Sequence, residues 1–262
     1  LVRTKLLIPP PRPKRVPRRH LTERLNQGLE AGHKLTLVSA PAGFGKTTCI
    51  SEWVDGLDMP VTWLSLDSSD DDPGRFFAYL VAALQNVDEY LCLEIEAVLR
   101  AGQLPPAEII LSTVINELLD LESPFLLTID DFQVIQDNTI LQVLTDLVEN
   151  LPPPLHLLIL TREDPSLPLV RLRANNQLTE IRAEDLRFSS LETDQFLNEV
   201  MGLSLSQTDI ATLEERTEGW VAGLQLAAVA LKAWIAERQL GQGSSSGLPL
   251  APNQAVPSAQ TY

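Results

Sequence analysis

One lysine and two threonines stand behind a pair of glycines in the stretch SAPAGFGKTTCISEW, Ser39 to Trp53. The frame Ala40-Pro41-Ala42-Gly43-Phe44-Gly45-Lys46-Thr47 follows the phosphate-loop pattern of glycine, four residues, glycine-lysine and a hydroxyl residue, with Ala40 in place of the first glycine. Each residue type has a chemical reason. Gly43 and Gly45 let backbone N–H groups turn inward around phosphate oxygens. Lys46 brings a mobile positive charge to the β- and γ-phosphates, and the Thr47 hydroxyl can ligate Mg²⁺. Thr48 follows in the first turn of a helix whose positive dipole end favours anions. The alternative reading of the same glycines is a plain strand-to-helix turn.

Two further groups could act on the same ligand. FLLTIDD is an apolar run that ends in Asp130 and Asp131. If the run is a buried strand, both carboxylates reach the carboxyl edge of the sheet, where ligands bind in such folds. Asp130 is then placed to hold Mg²⁺, and Asp131 to orient the attacking water; a simple turn cap is the other use of such a pair. In LLILTRED, Arg162 follows a second apolar run. It could contact a γ-phosphate and report its presence, or pair at the surface with Glu163 or Asp164. The acids Asp67, Asp70, Asp71 and Asp72 suggest a solvated turn with Asp72 as helix cap, a metal site being the alternative.

These groups must be positioned by a scaffold, and the chain supplies one. KLTLVS (residues 34–39), VTWLSL (61–66), FLLTI (125–129) and LHLLIL (155–160) read as strands, with a short one near 178–182. Helices are expected at 46–57, from Asp72-Pro73 through 83, and at 107–121. The alternation implies an α/β fold, a parallel sheet with helices on both faces. After Phe188 the pattern is helical only, opening with a Ser189/Glu192 capping box and closing with a long apolar helix from Trp220 to about Glu237. Trp63, Trp220 and Trp234 are expected in the core. The organisation is therefore an extended basic arm (1–24), a nucleotide-binding domain (25–188), a helical lid (189–240) and a Gly/Ser/Pro-rich tail (241–262), expected to be disordered.

Charge excludes some functions. Eight of the 20 Lys and Arg lie in residues 1–24, where Glu23 is the only acid, whereas the other 12 face 34 acids. Such an acidic body repels nucleic-acid phosphates. Cys49 and Cys92 give neither a disulfide framework nor metal spacing. No signal peptide or membrane span is evident, so the chain reads as cytoplasmic. It begins with Leu1 rather than Met, which suggests a fragment or a processed chain.

With these residues in place, the sequence resembles the ATPase module of MalT-type, LuxR-family transcriptional regulators, members of the STAND class within the AAA+ P-loop NTPases. VPRRHLTERL, SAPAGFGKTTCISEW, VTWLSLDSSDDDPGRFFAYLVAALQ, LLTIDDFQVI, the segment from Leu160 to Ser189 and TEGWVAGLQLAAVAL carry the match, in order, over nearly all of residues 1–237. The resemblance implies ATP/ADP and Mg²⁺ as ligands, a nucleotide loop at Ala40 to Thr47, and an adenine pocket lined by Val16, Pro17 and Arg18. It makes Arg162 a sensor arginine and Gly219 to Leu224 a lid segment, without the proline that many relatives carry there. Relatives continue into winged-helix, superhelical sensor and helix-turn-helix domains, for which 262 residues leave no room. The leading expectation is a slowly hydrolysing switch that self-associates in the ATP state of its parent protein. It should bind neither specific DNA nor membrane. The alternatives are a P-loop small-molecule kinase, a STAND-type defence or signalling ATPase, and a nucleotide-free scaffold.

Overall fold

The computed structural model describes residues 1–241; of the tail expected over 241–262, Gly241 ends a helix and the rest lies outside the described residues. A 3₁₀ turn at Arg3–Leu6 precedes an irregular stretch that reaches α1 (Arg19–Glu30). Then follow β1 (Leu35–Ser39), α2 (Lys46–Val54), β2 (Val61–Ser65), α3 (Pro73–Leu84), α4 (Leu93–Arg100) and α5 (Ala107–Leu119). The central part closes with β3 (Phe125–Asp130), α6 (Asn138–Glu149), β4 (Leu155–Thr161), α7 (Leu169–Ala174), β5 (Leu178–Arg182) and the short α8 (Ala183–Leu186).

All strand pairings are parallel, in the order β2-β3-β4-β1-β5. The strands are continuous apolar runs because both faces of the sheet are covered. Phe125, Leu127, Ile129, Leu157 and Ile159 face one core with α3, α5 and α6. Their neighbours Leu126, Leu158 and Leu160 face the other, against Leu21 and Leu25 of α1 and Ile50 and Trp53 of α2. Period-2 alternation therefore divides one run between two cores.

Beyond Phe188 the chain forms α9 (Ser190–Asp194), a π-helical turn (Gln195–Val200), α10 (Gln207–Thr217) and α11 (Val221–Gly241). The Ser189/Glu192 capping box forms as expected. Phe196, Leu197, Ile210 and Leu224 make a separate apolar cluster, which Val16 of the arm joins. Trp63 is fully buried, but Trp234 is half exposed and stacks under Arg238, contrary to the core reading. Helix α11 is apolar around much of its circumference, and only one face meets α10 and the π-helical turn.

The acidic turn after β2 is also not simply solvated. Asp72 caps α3, accepting from the Arg75 amide at 2.9 Å, as expected. Asp70, however, is fully buried between Lys5 and Arg75. Asp71 accepts two backbone N–H bonds, from Gln136 and Asp137, each at 2.7 Å. Among the described residues no group of three or more His, Cys, Asp or Glu is arranged to hold a metal ion.

Candidate functional site

Three strand ends build the site. β1 ends at Ser39 and pairs there with Thr161 of β4, so the loop after β1 and Arg162 leave the sheet side by side. β3 lies on the other side of β4 and delivers Asp130 to the same edge. The topology thus unites groups that are more than 110 residues apart.

The loop from Ala40 to Gly45 turns through two left-handed glycines, Gly43 at φ 80° and Gly45 at φ 79°. At these angles an L side chain is strained, which fixes glycine at both positions. Gly45 is also the N-cap of α2 and offers no side-chain cap. Among the described residues, no backbone N–H from Gly43 to Thr48 donates to a protein acceptor. A row of unpartnered amides at a helix N-terminus is the donor set that a phosphate requires.

Lys46 lies across this loop. Its Nζ donates to the Ala40 carbonyl at 2.7 Å and the Pro41 carbonyl at 3.2 Å. Burial pulls the ammonium pKa below its usual value, against the attraction of Asp130 and Asp131. Thr47 Oγ1 donates to Asp130 Oδ2 at 2.9 Å, while Asp130 Oδ1 accepts the Asp131 amide at 2.9 Å. Burial pushes the Asp130 carboxyl above the usual carboxylate range, offset in part by the Thr47 bond. Lysine and carboxylate are both held where the charged form is disfavoured. A phosphate beside Lys46 and a cation beside Asp130 relieve both, so these residues fit a nucleotide with Mg²⁺.

Asp131 itself takes a left-handed conformation, φ 58°, which turns the chain after β3. Its Oδ1 accepts from Gln133 Nε2 at 2.7 Å and lies 3.6 Å from the Arg162 guanidinium. Arg162 therefore faces Asp131, not the Glu163 or Asp164 of its own turn; Asp164 pairs with Arg182. The sequence reading missed Gln133. No periodicity, charge or glycine marks a glutamine in a turn.

A cavity of about 350 Å³ opens in front of these groups. Ala42 through Thr48, Asp131 and Arg162 line its polar side. Val16, Phe188, Phe196, Val200 and Val221 give an apolar wall suited to a flat ring, and Arg12, Lys14 and Arg15 border it from the arm. Asp130 sits just behind Thr47, and Ala40 and Pro41 lie behind Lys46, off the wall. Pro17 is solvent-exposed and borders a shallower groove beside Trp53 instead.

Arg18 borders the cavity, but its guanidinium already has partners. It donates to the carbonyls of Asp185, Leu186 and Arg187 at 2.8 to 3.0 Å. It pairs with Glu192 at 2.9 Å and covers the Phe188 ring at 4.9 Å. The start of α11 closes over the loop: Ala222 N–H donates to the Gly43 carbonyl at 3.2 Å, and Trp220 Nε1 to the Ala42 carbonyl at 3.3 Å. A Cβ on Gly43 would lie 2.7 Å from Ala222 Cβ.

No protein-family model matches the chain. It is 33% identical over 239 residues to the HTH-type transcriptional regulator MalT of Serratia proteamaculans, covering 90% of this chain and 26% of that protein. Against MalT of Yersinia enterocolitica it is 35% identical over 221 residues, 83% of this chain and 24% of the relative. The chain is related to the MalT-type transcriptional regulators. It spans about a quarter of the length of these MalT proteins.

Solved structures give the fold. A STAND protein with a tetratricopeptide repeat sensor from Pyrococcus horikoshii superposes with a TM-score of 0.55 at 16% identity, over 82% of this chain and 30% of that one. A Walker-type ATPase of Pyrococcus abyssi gives 0.54 at 14% identity, over 88% and 77%. A RuvB mutant of Thermotoga maritima gives 0.53 at 12%, over 89% and 68%. The MalT-related chain therefore has the P-loop ATPase fold, with a small helical part after it.

Proposed function

We propose that this chain is the nucleotide switch of a MalT-type regulator, binding ATP and ADP with Mg²⁺ and hydrolysing ATP slowly. One observation carries the reading. The unpartnered amides of Gly43 to Thr48, the Lys46 ammonium and the Thr47–Asp130 pair converge on one cavity whose far wall is apolar.

In this reading the loop amides and Lys46 hold the phosphates, and Val16, Phe188 and Val221 enclose the base. Arg18 acts by holding the arm against the helical part, while Pro17 contributes no contact. Thr47 and Asp130 would hold Mg²⁺, which would supply neutralisation of phosphate charge. Asp131 orients water, and Arg162 distinguishes ATP from ADP by reaching the terminal phosphate. Hydrolysis is slow for two reasons. Asp131 is a methylene shorter than glutamate and reaches less far toward an attacking water, and its carboxylate is shared with Gln133 and Arg162.

We extend the proposal to the longer protein that this chain's MalT relatives represent: self-association in the ATP state, action in the cytoplasm, and DNA readout by parts other than this acidic body. No helix among the described residues is long and apolar enough to cross a membrane. The test is ATP and ADP affinity, with phosphate release, in the wild type and in Arg162→Ala. The variant is expected to bind both nucleotides while its ATP preference narrows by at least about three-fold. An unchanged ratio removes the sensor role.

A further inference from the structure

We infer that Gln133 is a positioning residue that ties Asp131 to the main chain of Arg162, so that the water-orienting carboxylate and the root of the phosphate sensor are held together. The inference rests on the nucleotide-switch reading of this cavity.

Gln133 sits in the 3₁₀ turn Phe132–Val134, directly after the two carboxylates. Phe132, nearly fully buried, pins that turn to the core. From there the Gln133 amide reaches both ways. Nε2 donates to Asp131 Oδ1 at 2.7 Å, and Oε1 accepts the Arg162 backbone N–H at 3.1 Å. The orientation of the amide is fixed by its partners. A carboxylate only accepts and a backbone N–H only donates, so the flipped amide would face oxygen with oxygen and N–H with N–H.

Two consequences follow. Asp131 keeps one oxygen engaged by Gln133, while Oδ2 accepts from no protein donor among the described residues and is left for water. Arg162 is held by its main chain, so its guanidinium swings from a fixed root, and at 3.6 Å it also restrains Asp131. When Arg162 turns toward a terminal phosphate, that restraint passes from the ion pair to Gln133 alone. Without Gln133, Asp131 loses its remaining anchor when hydrolysis requires it, and Arg162 loses its fixed root.

Two variants separate the halves of the bridge. Gln133→Leu removes donor and acceptor. Gln133→Glu keeps an acceptor for the Arg162 amide but cannot donate to Asp131. The measurement is steady-state phosphate release, with ATP and ADP affinities by calorimetry, on the full chain. For Gln133→Leu, kcat is expected to fall roughly ten- to hundred-fold with KM little changed, and the ATP/ADP affinity ratio to narrow. Gln133→Glu is expected to lose kcat similarly but retain the wild-type ratio. Wild-type kcat and ratio in a folded Gln133→Leu variant would overturn the inference. So would kcat and both affinities falling in parallel with melting temperature, which marks a structural role alone. A wild type that binds no nucleotide would instead overturn the reading of the whole site, and this inference with it.

Discussion

Lys46 and Asp130 form the charged centre of the proposed site, with tasks separable from that of Asp131. Asp130 is buried and accepts from Thr47, whereas Asp131 is half-exposed on the cavity wall. Asp130→Asn therefore weakens Mg²⁺-dependent ATP binding, by roughly ten-fold for one charge-assisted contact. Asp131→Asn leaves binding near wild type and slows phosphate release further. Calorimetry and a phosphate-release assay on the two variants check this; equal losses of binding in both would show that the pair is misassigned. At this scale the sequence is a good guide only where local spacing fixes a role. Lys46 and Thr47 are legible because glycines and a helix start surround them. Gln133 is not, because its role depends on Arg162, 29 residues away. Asp70 is the same case: its burial depends on Lys5, 65 residues upstream.

Among the elements, the arm meets the helical part through Val16 in its apolar cluster and through one group of polar contacts. Arg18 is the centre of that attachment. It engages three consecutive carbonyls after β5, the Glu192 carboxylate of α9 and the Phe188 ring. Removing it leaves buried acceptors and a carboxylate without their cation. Arg18→Ala is expected to destabilise the chain by about 3 kcal/mol, a fall in melting temperature of roughly 6–12 °C. Arg18→Lys recovers little, because an ammonium cannot reach three carbonyls in one plane. Thermal melts followed by circular dichroism decide it; a shift under about 2 °C for Arg18→Ala would contradict the clamp. The strands and the Asp72 and Ser189 caps were legible because each carries its own local signal. Helix α6 was not anticipated, although Asp137 caps it and Ile140, Val143, Leu144 and Leu147 mark its buried face. The arm's contact with Phe188 had no local signal. Only the folded chain brings residues 18 and 188 together.

For the whole molecule, stability depends on a buried histidine far from the cavity. His156 lies near the start of β4, beside β1, donating from Nδ1 to the His33 carbonyl at 2.7 Å and accepting from Thr36 Oγ1 at 2.8 Å. Burial lowers the ring's pKa to about 4, outweighing the bond to the His33 carbonyl, which places a proton on Nδ1 and favours the charged ring. The unfolded ring titrates near 6.5, so above that pH the histidine costs nothing. As pH falls from about 6.5 to about 4 the unfolded state takes up a proton that the native state refuses, and stability drops by about 3 kcal/mol before levelling off. Urea unfolding from pH 7 to pH 4, compared with His156→Gln, isolates this slope. Identical pH dependence in the two proteins would contradict it.

The central claim is that this cavity holds a nucleotide through its phosphates, and it is tested most directly by titrating ATP–Mg²⁺ and ADP–Mg²⁺ into the wild type and Lys46→Ala by calorimetry. Lys46 is the cation that lies across the loop amides, bonded among the described residues only to the Ala40 and Pro41 carbonyls. The wild type is expected to bind both nucleotides, and the folded variant to lose at least about ten-fold in affinity for each, as the removal of a charged hydrogen-bond donor requires. Undiminished binding of ATP by a folded Lys46→Ala variant, or none by the wild type, would contradict the account.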